Sequence, residues 1–204
     1  SAVRAHVLSV IDEIQIKYPS VSGIHLDFVR WYEQSVKPKD AAQVISKFVA
    51  SAKRRVARPR WFTTAVLGKY PQCVGSVGQD WTSWIDANLV DYVVPMDYTE
   101  NSNTFEEYLK QHAALKTRAR RTIAGIGVTA NESRLSPLQV INQIRLARKY
   151  NMAGVALFDL DRTLEVTILP YLRLGLWYVI SNYMNLPELS FFWLNLLNLI
   201  LLKH

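Results

Sequence analysis

The feature that most limits what this chain can fold into is a rhythm. Short apolar runs rich in β-branched residues alternate with amphipathic stretches, one pair about every 30 residues. Strictly alternating units of that size build a parallel sheet with helices packed outside it. The strand runs read at 23–28, 61–67, 91–98, 122–128 and 154–159. Each is largely apolar, as burial on both faces requires. Helices read at 3–18, 39–57, 104–118, 137–150 and 164–174. The first carries Val7, Leu8, Val10, Ile11 and Ile14 as its apolar stripe; the second carries Ala42, Val44, Ile45, Phe48, Val49 and Ala52. The ends are marked too. Pro19-Ser20 and Arg58-Pro59-Arg60 stop the first two helices, and Asp80 reads as the N-cap of a short helix with Trp81, Trp84 and Ile85. Thr104 and Glu107 have capping-box spacing, and Pro137 takes the first position of its helix.

Two closures fit such a pattern, an open doubly wound sheet or a (β/α)₈ barrel. No Gly-x-Gly-x-x-Gly fingerprint follows a strand, which weakens the dinucleotide-binding reading. The polar residues favour the barrel. Asp27, Asp97 and Asp159 all fall at the C-terminal ends of strands, and in a barrel those ends form the rim that carries catalysis. Five βα units are too few to close one. The expectation is therefore an α/β fold, a partial TIM barrel over residues 1–175 that corresponds to strands four to eight. Such a piece leaves two open sheet edges. Residues 176–204 change character: from Leu176 to Leu202 the only charged residue is Glu188. This reads as a hydrophobic helical tail. Three roles stay open for it: cover over the open barrel, a helix for membrane or self-association, or a non-native end of a truncated reading frame. Its last apolar run, 189–202, is shorter than a membrane crossing needs.

Composition narrows the partners. The 204 residues are half hydrophobic and one-fifth charged, as in a globular chain. Cys73 is the single cysteine, so neither an internal disulfide nor a cysteine metal site can form. The histidines show no metal-ligand spacing, and no metal or cofactor is expected. The N-terminal residues open directly into a helical pattern with no signal-peptide pattern. The formal net charge is +7. The basic runs, Lys53-Arg54-Arg55 with Arg58 and Arg60, and Lys116 through Arg121, fall at helix C-termini, where they complement the helix dipole. A solvated basic face is the main reading, and nucleic-acid binding is the weaker alternative.

Three motifs occur in order: Gly23-Ile24-His25-Leu26-Asp27-Phe28-Val29-Arg30-Trp31, then Gly78-Gln79-Asp80-Trp81-Thr82-Ser83-Trp84, then Val90-Asp91-Tyr92-Val93-Val94-Pro95-Met96-Asp97-Tyr98-Thr99. They resemble the glycosyl-hydrolase-like family of bacterial lipoproteins and secreted proteins. In that family a strand ending "DGIHFDYIRYP" is followed by "QDW..W" and "VDFVMPMDYT". The segments 123–127 and 169–175 match its closing half, so the resemblance covers about residues 1–175. It implies a TIM barrel, a polysaccharide or peptidoglycan substrate, and a secreted or cell-envelope location. Trp31-Tyr32 stand where that family has tyrosine-proline, and the tail after Gly175 has no counterpart.

Glycosidic cleavage needs two carboxyl groups, one to protonate the leaving oxygen and one to act as nucleophile or to activate water. With Asp27 ending barrel strand four and Asp97 ending strand six, the layout resembles that of several retaining glycosidase clans. Asp27 is then the nucleophile, kept ionised by Arg30. Asp97, beside Met96 and Tyr98, is the acid/base. Trp31, Tyr32 and Tyr98 are candidates to stack on sugar faces. His25 reads as an interior hydrogen-bonding residue near the substrate, and Asp159 as a rim residue at the last strand. Asp161 is expected to cap the next helix, and Trp81 and Trp84 to belong to the core. Carbohydrate is the expected partner. The open alternative is a barrel piece that binds glycan without cleaving it, or a structural or membrane-associated fragment.

Overall fold

A computed structural model of the chain describes residues 2–27, 29–31, 39–175, 192–194 and 199–203. The elements follow the expected rhythm. Helix α1 (Ala2–Lys17) leads to β1 (Gly23–Leu26), α2 (Ala41–Arg55) to β2 (Trp61–Leu67), and the short α3 (Gln72–Val77) and α4 (Trp81–Asp86) to β3 (Tyr92–Met96). Then come α5 (Ser102–Ala114), a 3₁₀ turn (Lys116–Arg121), β4 (Ile123–Gly127), α6 (Pro137–Lys149) and β5 (Gly154–Phe158). A single π turn (Leu164–Ile168) runs into α7 (Leu169–Gly175). Strands β1 to β5 follow one another in the sheet in chain order, with parallel pairing. The chain is therefore mixed α/β with a five-strand parallel sheet, an order compatible with a partial barrel.

The chain divides into two compact units, Ser1–Pro95 and Met96–His204. In the first, the β1–β2 register pairs Ile24 with Phe62 and His25 with Thr63. Because strand side chains alternate in direction, these pairs lie on opposite faces. Phe62 lies under the Lys53 ammonium of α2, so it and Ile24 face the helices, while His25 and Thr63 face away from α2. Helix α2 buries Ala41, Ile45, Val49 and Ala52; Ala42, Val44 and Phe48 stay half-buried. On α1 only Ile11 is fully buried, and the other residues of its expected stripe are partly covered. Trp81 and Trp84 are fully buried, as a core role requires, and the Trp84 indole donates to Ser46 Oγ at 2.7 Å.

In the second unit the core is built by alternation. Ala124 and Ile126 of β4, Val128 directly after it, and Val155 and Leu157 of β5 pack against Phe105 and Leu109 of α5 and Val140, Ile144 and Ala147 of α6. Leu164, Ile168 and Leu172 complete the cluster. Gly125, Gly127 and Phe158 therefore point to the other face of the sheet, where Met96 pairs with Gly125 and Gly127 with Phe158.

Several local expectations change. The 68–78 stretch, which lies between the β2 strand and the Asp80 helix and to which the sequence assigns no element, contains α3, which ends on Gly78 in the left-handed conformation (φ 76°). Asp80 stands at the N-terminal flank of α4, but its carboxylate accepts from Ser83 Oγ (2.7 Å) and Tyr70 Oη (3.3 Å) rather than from a cap amide. Asn101, not Thr104, caps α5, accepting from the amides of Asn103 and Thr104; an Asx side chain fits the N-cap geometry better than threonine. The capping box belongs to Ser136 and Gln139. Asp161 does cap its helix, accepting from Leu164 N at 2.7 Å.

The helical tail is not found where the backbone of residues 176–204 is described. Phe192–Leu194 (β6) and Leu199–Lys203 (β7) are antiparallel strands, β7 lying along β5 from Gly154↔Lys203 to Phe158↔Leu199. A short apolar run has no periodicity that separates strand from helix, and β5 offers it a row of backbone donors and acceptors. The rest of that expectation lies outside the described residues. Among the described residues, no helix is long and apolar enough to cross a membrane.

Candidate functional site

In the first unit, the end of β1 gathers polar groups. His25 Nδ1 lies 2.8 Å from Thr63 Oγ1 on the neighbouring strand. Burial pushes the His25 imidazole down to about 4, against the pull of the Asp27 carboxylate two residues on. His25 is thus neutral at physiological pH and acts as an interior hydrogen-bonding group. Asp27, Arg30 and Trp31 are partly buried, and the Trp31 amide donates to Val77 O at 2.8 Å. Tyr32 lies outside the described residues.

What holds this strand end in place is a residue to which sequence reasoning gave no role. Gln79 is fully buried. Its amide nitrogen donates to Val29 O at 3.1 Å, and its amide oxygen accepts from Leu67 N at 2.9 Å. Cys73 Sγ donates to Gln79 O at 3.2 Å. One side chain thereby ties the segment after β1 to the end of β2, giving a partner to one backbone N–H and one backbone carbonyl. The signal was present in the sequence, an amide between Gly78 and Asp80 in a motif otherwise explained by cap and core. Amides in turns are common, and spacing alone does not mark a buried one.

The basic runs of this unit are partly consumed by the fold. Lys53 Nζ and Phe62 N both donate to Asp91 Oδ2 at 2.7 Å, Arg55 pairs with Asp12, and Arg60 donates to Pro19 O at 2.8 Å. Lys53 and Arg60 fasten helix ends to strand starts and Arg55 fastens α2 to α1, in addition to completing the dipole.

In the second unit, the residues after β3 diverge to opposite sides. Asp97 is 0 % exposed, and both of its oxygens meet His112 Nε2, at 3.1 and 3.0 Å; His112 is 1 % exposed. His112 sits on the face of α5 that carries the buried Phe105 and Leu109, so Asp97 turns toward the helical layer. Burial holds the Asp97 carboxyl above its usual range, with the His112 charge and hydrogen bond pulling the other way. Tyr108, one turn before His112, has its phenol raised by burial and by the Asp97 charge.

Tyr98 goes to the other face. Its ring stacks on Phe158, with centroids 5.4 Å apart and planes 9° from parallel. Gly127 makes room for it: a Cβ there would lie 2.8 Å from Tyr98 Cγ and 2.6 Å from Ser133 Oγ. Next to Phe158, Asp159 Oδ1 accepts from Thr129 Oγ1 at 2.8 Å. The strand ends of this unit thus bring Tyr98, Phe158, Thr129 and Asp159 together. Sequence reasoning had Tyr98 and Asp159 but missed Phe158 and Thr129. Both lie in or beside apolar runs, and only the parallel register places them.

These placements bear on the two expected carboxylates. Asp27 is partly exposed in the first unit; Asp97 belongs to the second, withdrawn from solvent and engaged by a histidine. Among the described residues, no group of three His, Cys, Asp or Glu side chains could hold a metal ion. A scan against protein-family models finds no match, and neither does a search of curated proteins.

Proposed function

We propose that this chain is a segment of a glycoside-hydrolase-like TIM barrel, corresponding to strands four to eight, that recognises a polysaccharide or peptidoglycan-type glycan with the carboxyl ends of its strands. The observation that carries this reading is the aromatic and polar group of the second unit. Tyr98 and Phe158 offer a flat ring surface, and Thr129 and Asp159 offer a hydroxyl and a carboxylate within one hydrogen bond of each other. Sugars are bound by this combination, because a pyranose has an apolar face for a ring and a rim of hydroxyls for carboxylate and hydroxyl partners. His25 and Asp27, with Arg30 and Trp31, make the corresponding polar end of β1; these four, and Tyr32 next in sequence, are proposed to contribute to the same class of ligand.

A second reading is hydrolysis by Asp27 and Asp97. One observation favours it: burial raises the Asp97 pKa, the property a general acid needs. Against it stands the same burial, since an acid must reach the glycosidic oxygen within hydrogen-bond distance. Hydrolysis therefore requires Asp97 to leave His112, whereas glycan binding does not. The two readings separate when Asp27→Asn and Asp97→Asn are made singly, and binding and cleavage of soluble peptidoglycan fragments are assayed apart. Binding without cleavage in the parent chain supports the first reading. Cleavage that both substitutions abolish supports the second. No affinity for any glycan overturns both.

A further inference from the structure

Three consecutive residues leave β3, and the outer two are each held by a buried side chain from a different helix. Asp97 is held by His112 of α5. Thr99 is held through its carbonyl, which accepts from Gln143 Nε2 of α6 at 2.8 Å; Gln143 is 1 % exposed. Tyr98 lies between them. We infer that His112 and Gln143 are positioning residues: they fix the backbone on both sides of Tyr98 and so set the ring against Phe158.

Two features argue for this over plain core stability. First, a buried carboxylate–imidazole pair is an expensive way to fill a core, because both groups lose their hydration. Apolar residues of similar volume do as well or better for stability. What a directional pair adds is a defined chain direction at the strand end. Second, the tie is repeated. The Gln143 amide, on a helix face otherwise made of Val140, Ile144 and Ala147, makes the same kind of link two residues further on. Further along, Gln139 Nε2 donates to Glu100 O at 3.4 Å, and Asn101 caps α5. The loop is pinned residue by residue from behind, and the ring is what it presents.

The effect on ligand affinity rests on the reading of Tyr98 as a glycan contact; the effect on ring placement does not. The test uses the whole chain and two variants. The double variant Asp97→Leu/His112→Leu replaces the pair by apolar residues, and Gln143→Met removes the second tie. The readout is the NMR ring-proton shift of Tyr98, which the Phe158 ring displaces upfield and which Phe158→Leu identifies. Chito-oligosaccharide and muropeptide binding are measured in parallel. We expect both variants to fold, to lose most of that upfield shift, and to bind the probe at least tenfold more weakly. A folded variant that keeps the parent shift overturns the positioning role of the pair it removes. If the double variant does not fold, Gln143→Met decides alone. If the shift is lost while the parent chain binds neither probe, the positioning stands and the glycan reading falls.

Discussion

Replacing His112 by leucine tests the buried pair directly. The substitution leaves the Asp97 carboxyl 0 % exposed with its histidine partner removed. Water cannot take the vacated place without opening the α5 contact, because His112 itself is 1 % exposed. Removing one member of a buried ion pair costs about 3–5 kcal/mol, and at about 2–4 °C per kcal/mol for a chain of this size the melting temperature falls by roughly 6–20 °C. The loss also has a pH signature. Asp97 is a carboxyl whose folded pKa is raised from 3.8. It favours the folded state fully below that value, and the contribution is lost as pH rises through the folded pKa. His112 is what pulls the folded value back down, so its removal raises the value further. The deficit of His112→Leu is therefore greatest in neutral buffer and shrinks in acid. Urea melts followed by near-ultraviolet circular dichroism at both pH values measure it. A deficit below about 1 kcal/mol, the size of a solvent-exposed pair, or one that does not change with pH, refutes the reasoning.

Three further outcomes follow from the same geometry. Gln79→Leu leaves Leu67 N and Val29 O without the Gln79 amide; at about 1–3 kcal/mol for each group, urea melts show a loss of about 2–6 kcal/mol. Gly127→Ala places a methyl 2.8 Å from Tyr98 Cγ, so the ring moves off Phe158 and its NMR shift changes, while a substitution at Gly75, which has open space around it, changes nothing. His25 has a folded pKa lowered from 6.5 to about 4; its neutral form supports the fold fully above pH 6.5, and that support is lost as pH falls toward 4. His25→Gln loses less stability than the parent chain across that window, measured by the same melts.

The fold was legible in the sequence because both signals it depends on are local. The runs at 61–67 and 123–127 are short, bounded by breakers or polar residues and set between amphipathic helices, which is enough to mark them as strands, and Pro137 or Arg58-Pro59 fixes a helix boundary without tertiary help. The site was legible only in part. Asp97 and Tyr98 are neighbours with similar claims on a strand end, and strand alternation sends one of them to each face. Which face is which depends on α5 and its histidine, fifteen residues away. Gln79 lies outside any periodic element and Gln143 interrupts the apolar face of α6, and the roles of both come from backbone groups of distant segments. The tail failed for another reason: residues 199–203 form a short apolar run with no intrinsic shape, and the edge of β5 gives it one.

The most direct test of the account is the affinity of the intact chain for soluble glycan with and without the Tyr98 ring. Calorimetric titration of chito-oligosaccharides and muropeptides into the parent chain and into Tyr98→Ala measures it. A glycan contact at Tyr98 predicts binding by the parent chain and a loss of about 1–3 kcal/mol on truncation, the amount that a buried aromatic contact contributes to a site, or roughly fivefold to 150-fold in affinity. Equal affinity in the two proteins, or no binding by either, contradicts it.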